Sequence, residues 1–67
     1  ADQRRRMIKQ ALAMIPAEKR EMIVLRDYLD LSYAQIADVL GIAQGTVMSR
    51  LHRSRLALKE ALNNDGQ

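Results

Sequence analysis

The stretch "SYAQIADVLGIAQGTVMSRL", Ser32–Leu51, decides how the rest of the chain is read. Ala37, Gly41 four residues later and Val47 six residues further on have the spacing of a helix-turn-helix. Two closely crossing helices need a small residue at the contact, a glycine at the sharp turn and an apolar residue to dock the second helix. Ile36, Leu40, Ile42 and Leu51 supply the apolar positions around them. Ser32 and Gln35 match a capping box, which starts the first helix of the pair. Gly41 stops it, because glycine adopts positive φ without strain. Residues 42–44 then connect to the next apolar-periodic run. A helical hairpin with no nucleic-acid role would share this spacing, so the outer face of the second helix has to separate the two readings.

That face lies within "GTVMSRLHRSR", Gly45–Arg55, which holds three arginines and a histidine. At about 100° per residue, Val47, Leu51, Ser54, Leu58 and Leu62 form one inward stripe. Gly45, Ser49, His52, Arg53 and Leu56 lie opposite, with Met48, Arg50 and Arg55 on the flanks. A solvated helix face ordinarily mixes lysine and glutamate. Here short, donor-bearing side chains come first and arginines follow, and Gln44–Lys59 has four bases and no acid. Gly45 and Ser49 allow close approach of another surface, and Arg53 can make a bidentate contact with a guanine edge. The pattern reads as a recognition helix for the DNA major groove.

Working outward, Met7, Ile8, Ala11, Leu12 and Ile15 recur at helical spacing and predict a first helix ending before Pro16. Pro16 is expected at the first position of a second helix, where its missing N–H is not needed. Glu18 and Glu21 follow near that helix's N-terminus, where the dipole favours acids. Met22, Ile23, Leu25 and Leu29 carry the second helix to about Leu29. Met7, Met14 and Met22 are expected as core or core-edge fillers, and Tyr28 as a partly buried packing residue. Arg4–Arg6 read as a solvated helix start. The fourth helix carries Val47, Leu51, Leu58, Ala61 and Leu62 on one face and is expected to fray in "NNDGQ", residues 63–67. No alternating pattern predicts a strand.

Sixty-seven residues allow one domain with a modest core. The absence of cysteine excludes disulfides and thiolate metal sites, and His52, the single histidine, builds no metal site with its neighbours. No long apolar run predicts membrane insertion, and no set of residues forms a nucleophile, base and orienting group. Catalysis, metals and cofactors are therefore not expected. The net charge of +3 is unevenly spread. Four bases and one acid precede Ala17, five acids and three bases fill residues 17–40, and the acid-free segment follows. Such segregation suggests a polyanionic partner at one surface. The first residue, Ala1, is not methionine, which fits a fragment of a longer chain.

The blocks "REMIVLRDY", "LSYAQIADVLGI" and "GTVMSRLHRSR", in that order, resemble the C-terminal domain, region 4, of bacterial RNA polymerase sigma factors. The resemblance runs from about Ile15 to Leu62 and is greatest to the extracytoplasmic-function class. It implies an all-α fold, a four-helix domain containing a helix-turn-helix, winged-helix-like but without a wing. Residues 1–14 would be a first helix following a linker, residues 15–62 the helix-turn-helix core, and residues 63–67 a polar tail. The implied work is promoter recognition in transcription initiation: binding the −35 element of double-stranded DNA while attached to the β flap of RNA polymerase, in the bacterial cytoplasm. An anti-sigma factor is an expected further partner. Carried onto this chain, Arg53 would read bases, with Ser49 and His52 in the groove. Ser32, Tyr33, Thr46, Met48, Arg50 and Arg55 would face phosphates, with Ser32 and Tyr33 offering backbone amides and a hydroxyl. Leu56 is a candidate partner contact. The domain that reads the −10 element is absent from this sequence, so the chain could not start transcription alone.

Three positions depart from the family pattern. Met48 stands where lysine or arginine is usual, which removes one phosphate contact. Ala43 stands where proline or a capping residue is common, so the recognition helix starts without a side-chain cap. Asp30 replaces a frequent glycine after the second helix, although aspartate tolerates the left-handed conformation. Two other readings fit parts of the chain. A sigma-like decoy would bind an anti-sigma factor and never touch DNA; Met48 favours it, and Arg53 in an acid-free run argues against it. The output domain of a response regulator has a similar helix-turn-helix, but "SRLHRSRLALKEAL" fits the sigma pattern better.

Overall fold

A computed structural model describes residues 2–65 as four helices with short connections. Among the described residues there is no strand. Helix α1, Asp2–Met14, ends where Ile15 is pushed out of the helical region by the proline that follows it. Its last carbonyls find a partner from the next helix. The Arg20 guanidinium donates to the carbonyls of Leu12 at 2.8 Å and Ile15 at 3.0 Å, placing a cation at the negative end of the α1 dipole.

Helix α2, Ala17–Ile23, starts one residue later than expected, with Pro16 as its N-cap and not its first residue. Pro16 has ψ 146°, and its carbonyl accepts from the N–H groups of Lys19 and Arg20, both at 3.0 Å. The ladder begins at that carbonyl, and a missing N–H is harmless at either position. The helix continues from Val24 to Tyr28 as a π turn, with Leu29 N–H reaching the Val24 carbonyl at 2.9 Å. This widening alters the expected packing. Leu29 faces solvent, and the chain reverses at Asp30, the one described non-glycine residue with positive φ, 57°. Leu31 turns inward instead, its N–H bonded to the Leu25 carbonyl at 3.0 Å. Tyr28, expected to be partly buried, is 54% exposed for the same reason. Met7 and Met14, expected as core or core-edge fillers, are also exposed, because Ala11, Leu12 and Ile15 hold the buried side of the first helix; of the three methionines so read, Met22 is in the core.

Helix α3, Tyr33–Leu40, starts at the expected capping box. Gln35 N–H donates to Ser32 Oγ at 3.1 Å, and Ser32 N–H donates to Gln35 Oε1 at 2.8 Å. It stops at Gly41, φ 68°, and Ile42 N–H closes the end on the Ala37 carbonyl at 3.0 Å. Helix α4, Gln44–Asp65, is about 33 Å long at 1.5 Å per residue. It starts at the Ala43 carbonyl, which accepts Val47 N–H at 3.1 Å, and the Ala43 methyl supplies no side-chain cap. It remains helical through Asn63, Asn64 and Asp65, where fraying was expected. Ala1, Gly66 and Gln67 lie outside the described residues.

Two apolar clusters are strung along α4. The first joins Ala11, Leu12 and Ile15 to Ile23 and Ala61, with Ile8, Ala57, Leu58 and Leu62 beside them. The second joins Met22, Ile36, Ala37, Val47 and Leu51, with Leu25, Leu31, Tyr33, Leu40 and Ile42 around them. Adjacent residues of α2, Met22 and Ile23, serve one cluster each. Each fully buried aliphatic side chain contributes about 1.5–3 kcal/mol, and the second cluster holds three of the most buried large ones, Ile36, Val47 and Leu51.

Candidate nucleic-acid interface

Burial of one side of α4 fixes what the other side shows. Val47 and Leu51 dock against Ile36 and Ala37 of α3, as the helix-turn-helix spacing requires. Ser54 continues the inward stripe at 1% exposure. A buried hydroxyl needs a partner, and Ser54 Oγ donates to the Arg50 carbonyl one turn back at 2.8 Å. Ser54 is thus a satisfied core position, which leaves the opposite face free for contact.

That face comprises Gly45, Ser49, His52, Arg53 and Leu56, all exposed, as the helical projection predicts. A Cβ built on Gly45 would meet nothing within 4 Å, so nothing inside the domain requires glycine there. On the flanks Thr46 is half-buried, while Met48 and Arg50 are exposed. Arg50 and Arg53 line a groove of 330 Å³ together with Glu18, Lys19 and Glu21 of α2, and Met22, Leu40 and Ser54 complete its lining. Arg55 is exposed on the other flank and is held by Asp27 through a 2.7 Å hydrogen bond from Nη2 to Oδ1.

The start of α3 is arranged differently from the expectation. Ser32 N–H donates to Gln35 Oε1 and Ser32 Oγ accepts Gln35 N–H, so that amide is not available and the hydroxyl hydrogen is the donor this residue has left. Tyr33 is half-buried against the second cluster. Arg26, which the sequence reading did not single out, lies 5.7 Å from the Tyr33 ring centroid and pairs with Asp30 at 3.1 Å. The i,i+4 spacing of Arg26 and Asp30 was visible in the sequence; the approach to Tyr33 depends on the reversal at Asp30 and was not. Arg20 and Asp27 were missed for a similar reason, since their partners lie on other helices.

Among the described residues no group of histidine, cysteine, aspartate and glutamate could hold a metal ion, and no helix is long and apolar enough to cross a membrane.

Comparison with known proteins agrees with this geometry. Residues 5–58 match the family described as Sigma-70, region 4. The chain is 48% identical over 62 residues to the ECF RNA polymerase sigma factor SigL of Mycobacterium tuberculosis, covering 92% of this chain and 35% of that protein. It is 44% identical over 55 residues to the ECF RNA polymerase sigma factor SigE of Mycolicibacterium smegmatis, covering 82% of this chain and 21% of that protein. Against the ECF RNA polymerase sigma factor SigW of Bacillus subtilis the identity is 39% over 57 residues, or 85% of this chain and 30% of that protein. The chain thus spans about a third or less of the length of these relatives. Each alignment takes in most of the helix-turn-helix described above, and the chain belongs to the sigma-70 region 4 family, in its extracytoplasmic-function class.

Proposed function

We propose that this domain binds the −35 promoter element of double-stranded DNA as the C-terminal part of an RNA polymerase sigma factor and so helps direct transcription initiation. The observation that carries the reading is the outer face of α4, where Ser49, His52 and Arg53 are exposed within a segment that has no acid from Gln44 to Lys59. A helix held rigidly by its buried side can present such a face to the major groove. Arg53 would read bases, Ser49 and His52 would lie in the groove, and Thr46, Arg50 and the Ser32 hydroxyl would meet phosphates. The role is one of binding, not catalysis. RNA polymerase core, contacted at the β flap, and an anti-sigma factor are the protein partners this function calls for, and Leu56, 46% exposed at the edge of the face, is the candidate partner contact. The bacterial cytoplasm is where such a factor would act.

Arg53→Ala tests the proposal. It should cost about 1–3 kcal/mol on the matched promoter, the worth of a bidentate base contact. It should also flatten discrimination at one base pair. Titrations against the matched duplex and single-base variants measure both. Equal losses on every duplex would reduce Arg53 to a phosphate contact. Exposed Met48, where a cation is usual, favours a second reading: a decoy that binds an anti-sigma factor and not DNA. Promoter binding by the polymerase-bound factor that is no tighter than that of the polymerase core alone, at any salt concentration, would select it.

A further inference from the structure

Of the three arginines on the recognition helix, Arg55 alone has a carboxylate bonded to it among the described residues. Asp27, which holds it, sits on the π turn and is 28 residues away in sequence. Helix α2 begins beside Arg50 and Arg53, where Glu18 and Glu21 line the groove, and its π turn ends beside Arg55. It therefore passes across α4 near the buried Ser54, with Glu18, Lys19 and Glu21 on the side of Arg50 and Arg53 and Asp27 on the side of Arg55. Only Asp27 closes the gap to a direct contact.

The contact is close but loosely held. One guanidinium nitrogen meets one carboxylate oxygen, and the two side chains keep 49% and 40% of their exposure. Water-exposed ion pairs of this kind change an equilibrium by only a few-fold. A phosphate can engage a guanidinium through two parallel hydrogen bonds, which is the stronger arrangement. We infer that Asp27 is a built-in competitor for the DNA phosphate at Arg55. In the free chain its carboxylate occupies the guanidinium that a phosphate would take, and on DNA the phosphate displaces it. The inference rests on the DNA-binding reading above, and it gives the second helix a part in setting affinity. Because the competition is for a phosphate contact, it acts alike on all sequences.

A competitor and a structural brace differ in sign. If the Asp27–Arg55 pair merely held α4 in place, losing either partner would weaken DNA binding. If Asp27 competes, Asp27→Asn tightens binding and Arg55→Ala weakens it. The effect is independent of sequence, so a mixed-sequence duplex is a sufficient probe. The wild-type chain, Asp27→Asn, Arg55→Ala and the double variant would be titrated with it from low to moderate salt. Asp27→Asn should bind about two- to fivefold more tightly, with a salt slope steeper by up to about 0.9, and the gain should be largely lost in the Arg55→Ala background. Weaker binding by both single variants would establish the brace and overturn the inference. An equal gain in both backgrounds would mean general charge repulsion, which overturns it as well. No salt-dependent binding by any of the four chains would remove the DNA-binding reading itself, and the competitor with it. Wild-type binding with an unchanged Asp27→Asn would remove the competitor alone.

Discussion

At the scale of single residues, Met48 is one of the three departures that the resemblance brought out. It lies about 100° from the buried Val47 and is 55% exposed, so the fold makes no use of most of its apolar surface. A long cation there would reach the flank on which the DNA backbone is proposed to run. Met48→Arg should add one phosphate contact and raise affinity similarly for promoter and unrelated duplexes. It should also steepen the slope of log K against log salt by about 0.9. Binding measured at several salt concentrations checks both effects, and an unchanged slope would put position 48 away from the backbone. Residue-scale features of this sort were largely legible in the sequence. The helical projection alone separated exposed Ser49, His52 and Arg53 from buried Val47, Leu51 and Ser54. It failed where a side chain's environment comes from another helix: the Asp27 carboxylate on Arg55, and Arg26 beside Tyr33.

At the scale of elements, the connections that follow local rules were also legible. The Ser32–Gln35 capping box and the Gly41 stop are set by residues within a few positions of each other, and both formed as read. The end of the second helix was not fully legible, because a π turn carries no fixed residue signature and the 3.6-residue period misplaces everything after it. Leu29 and Tyr28 faced solvent and Leu31 took the inward place. The strain of that ending falls on Asp30 at φ 57°. Aspartate tolerates this conformation but glycine adopts it freely, a difference of about 1 kcal/mol. Against that stands the Arg26–Asp30 pair at 3.1 Å, whose carboxylate side is almost fully exposed and contributes little. Asp30→Gly should therefore stabilise the domain by about 0.5 kcal/mol and raise Tm by about 2–4 °C. Thermal melting followed by circular dichroism measures it, and a lower Tm would show that the ion pair outweighs the strain.

At the scale of the whole molecule, α4 is shared by two apolar clusters of unequal weight. The helix-turn-helix cluster contains Ile36, Val47 and Leu51, each 2% exposed or less. The other cluster holds α1 against the second half of α4 through Ala11, Leu12, Ile15, Ile23 and Ala61, two of them alanines that bury little area. The proposed DNA face belongs to the helix-turn-helix cluster, so damage to the cluster that holds α1 should be survivable. Leu51→Asp places an unpaired charge at the crossing of α3 and α4, a cost that a small domain cannot absorb. It should abolish cooperative melting and most helical signal. Ala61→Asp introduces the same charge about 15 Å further along the helix, where α1 can lift away and admit water. It should lower Tm and strip hydrogen-exchange protection from residues 2–14, while the amides of α3 and of the first half of α4 stay protected. DNA binding should fall only modestly. Circular dichroism and exchange measured on both variants compare the two outcomes directly. Complete loss of protection in Ala61→Asp would mean that the clusters fold as one cooperative unit, and that the recognition helix depends on α1 for its order.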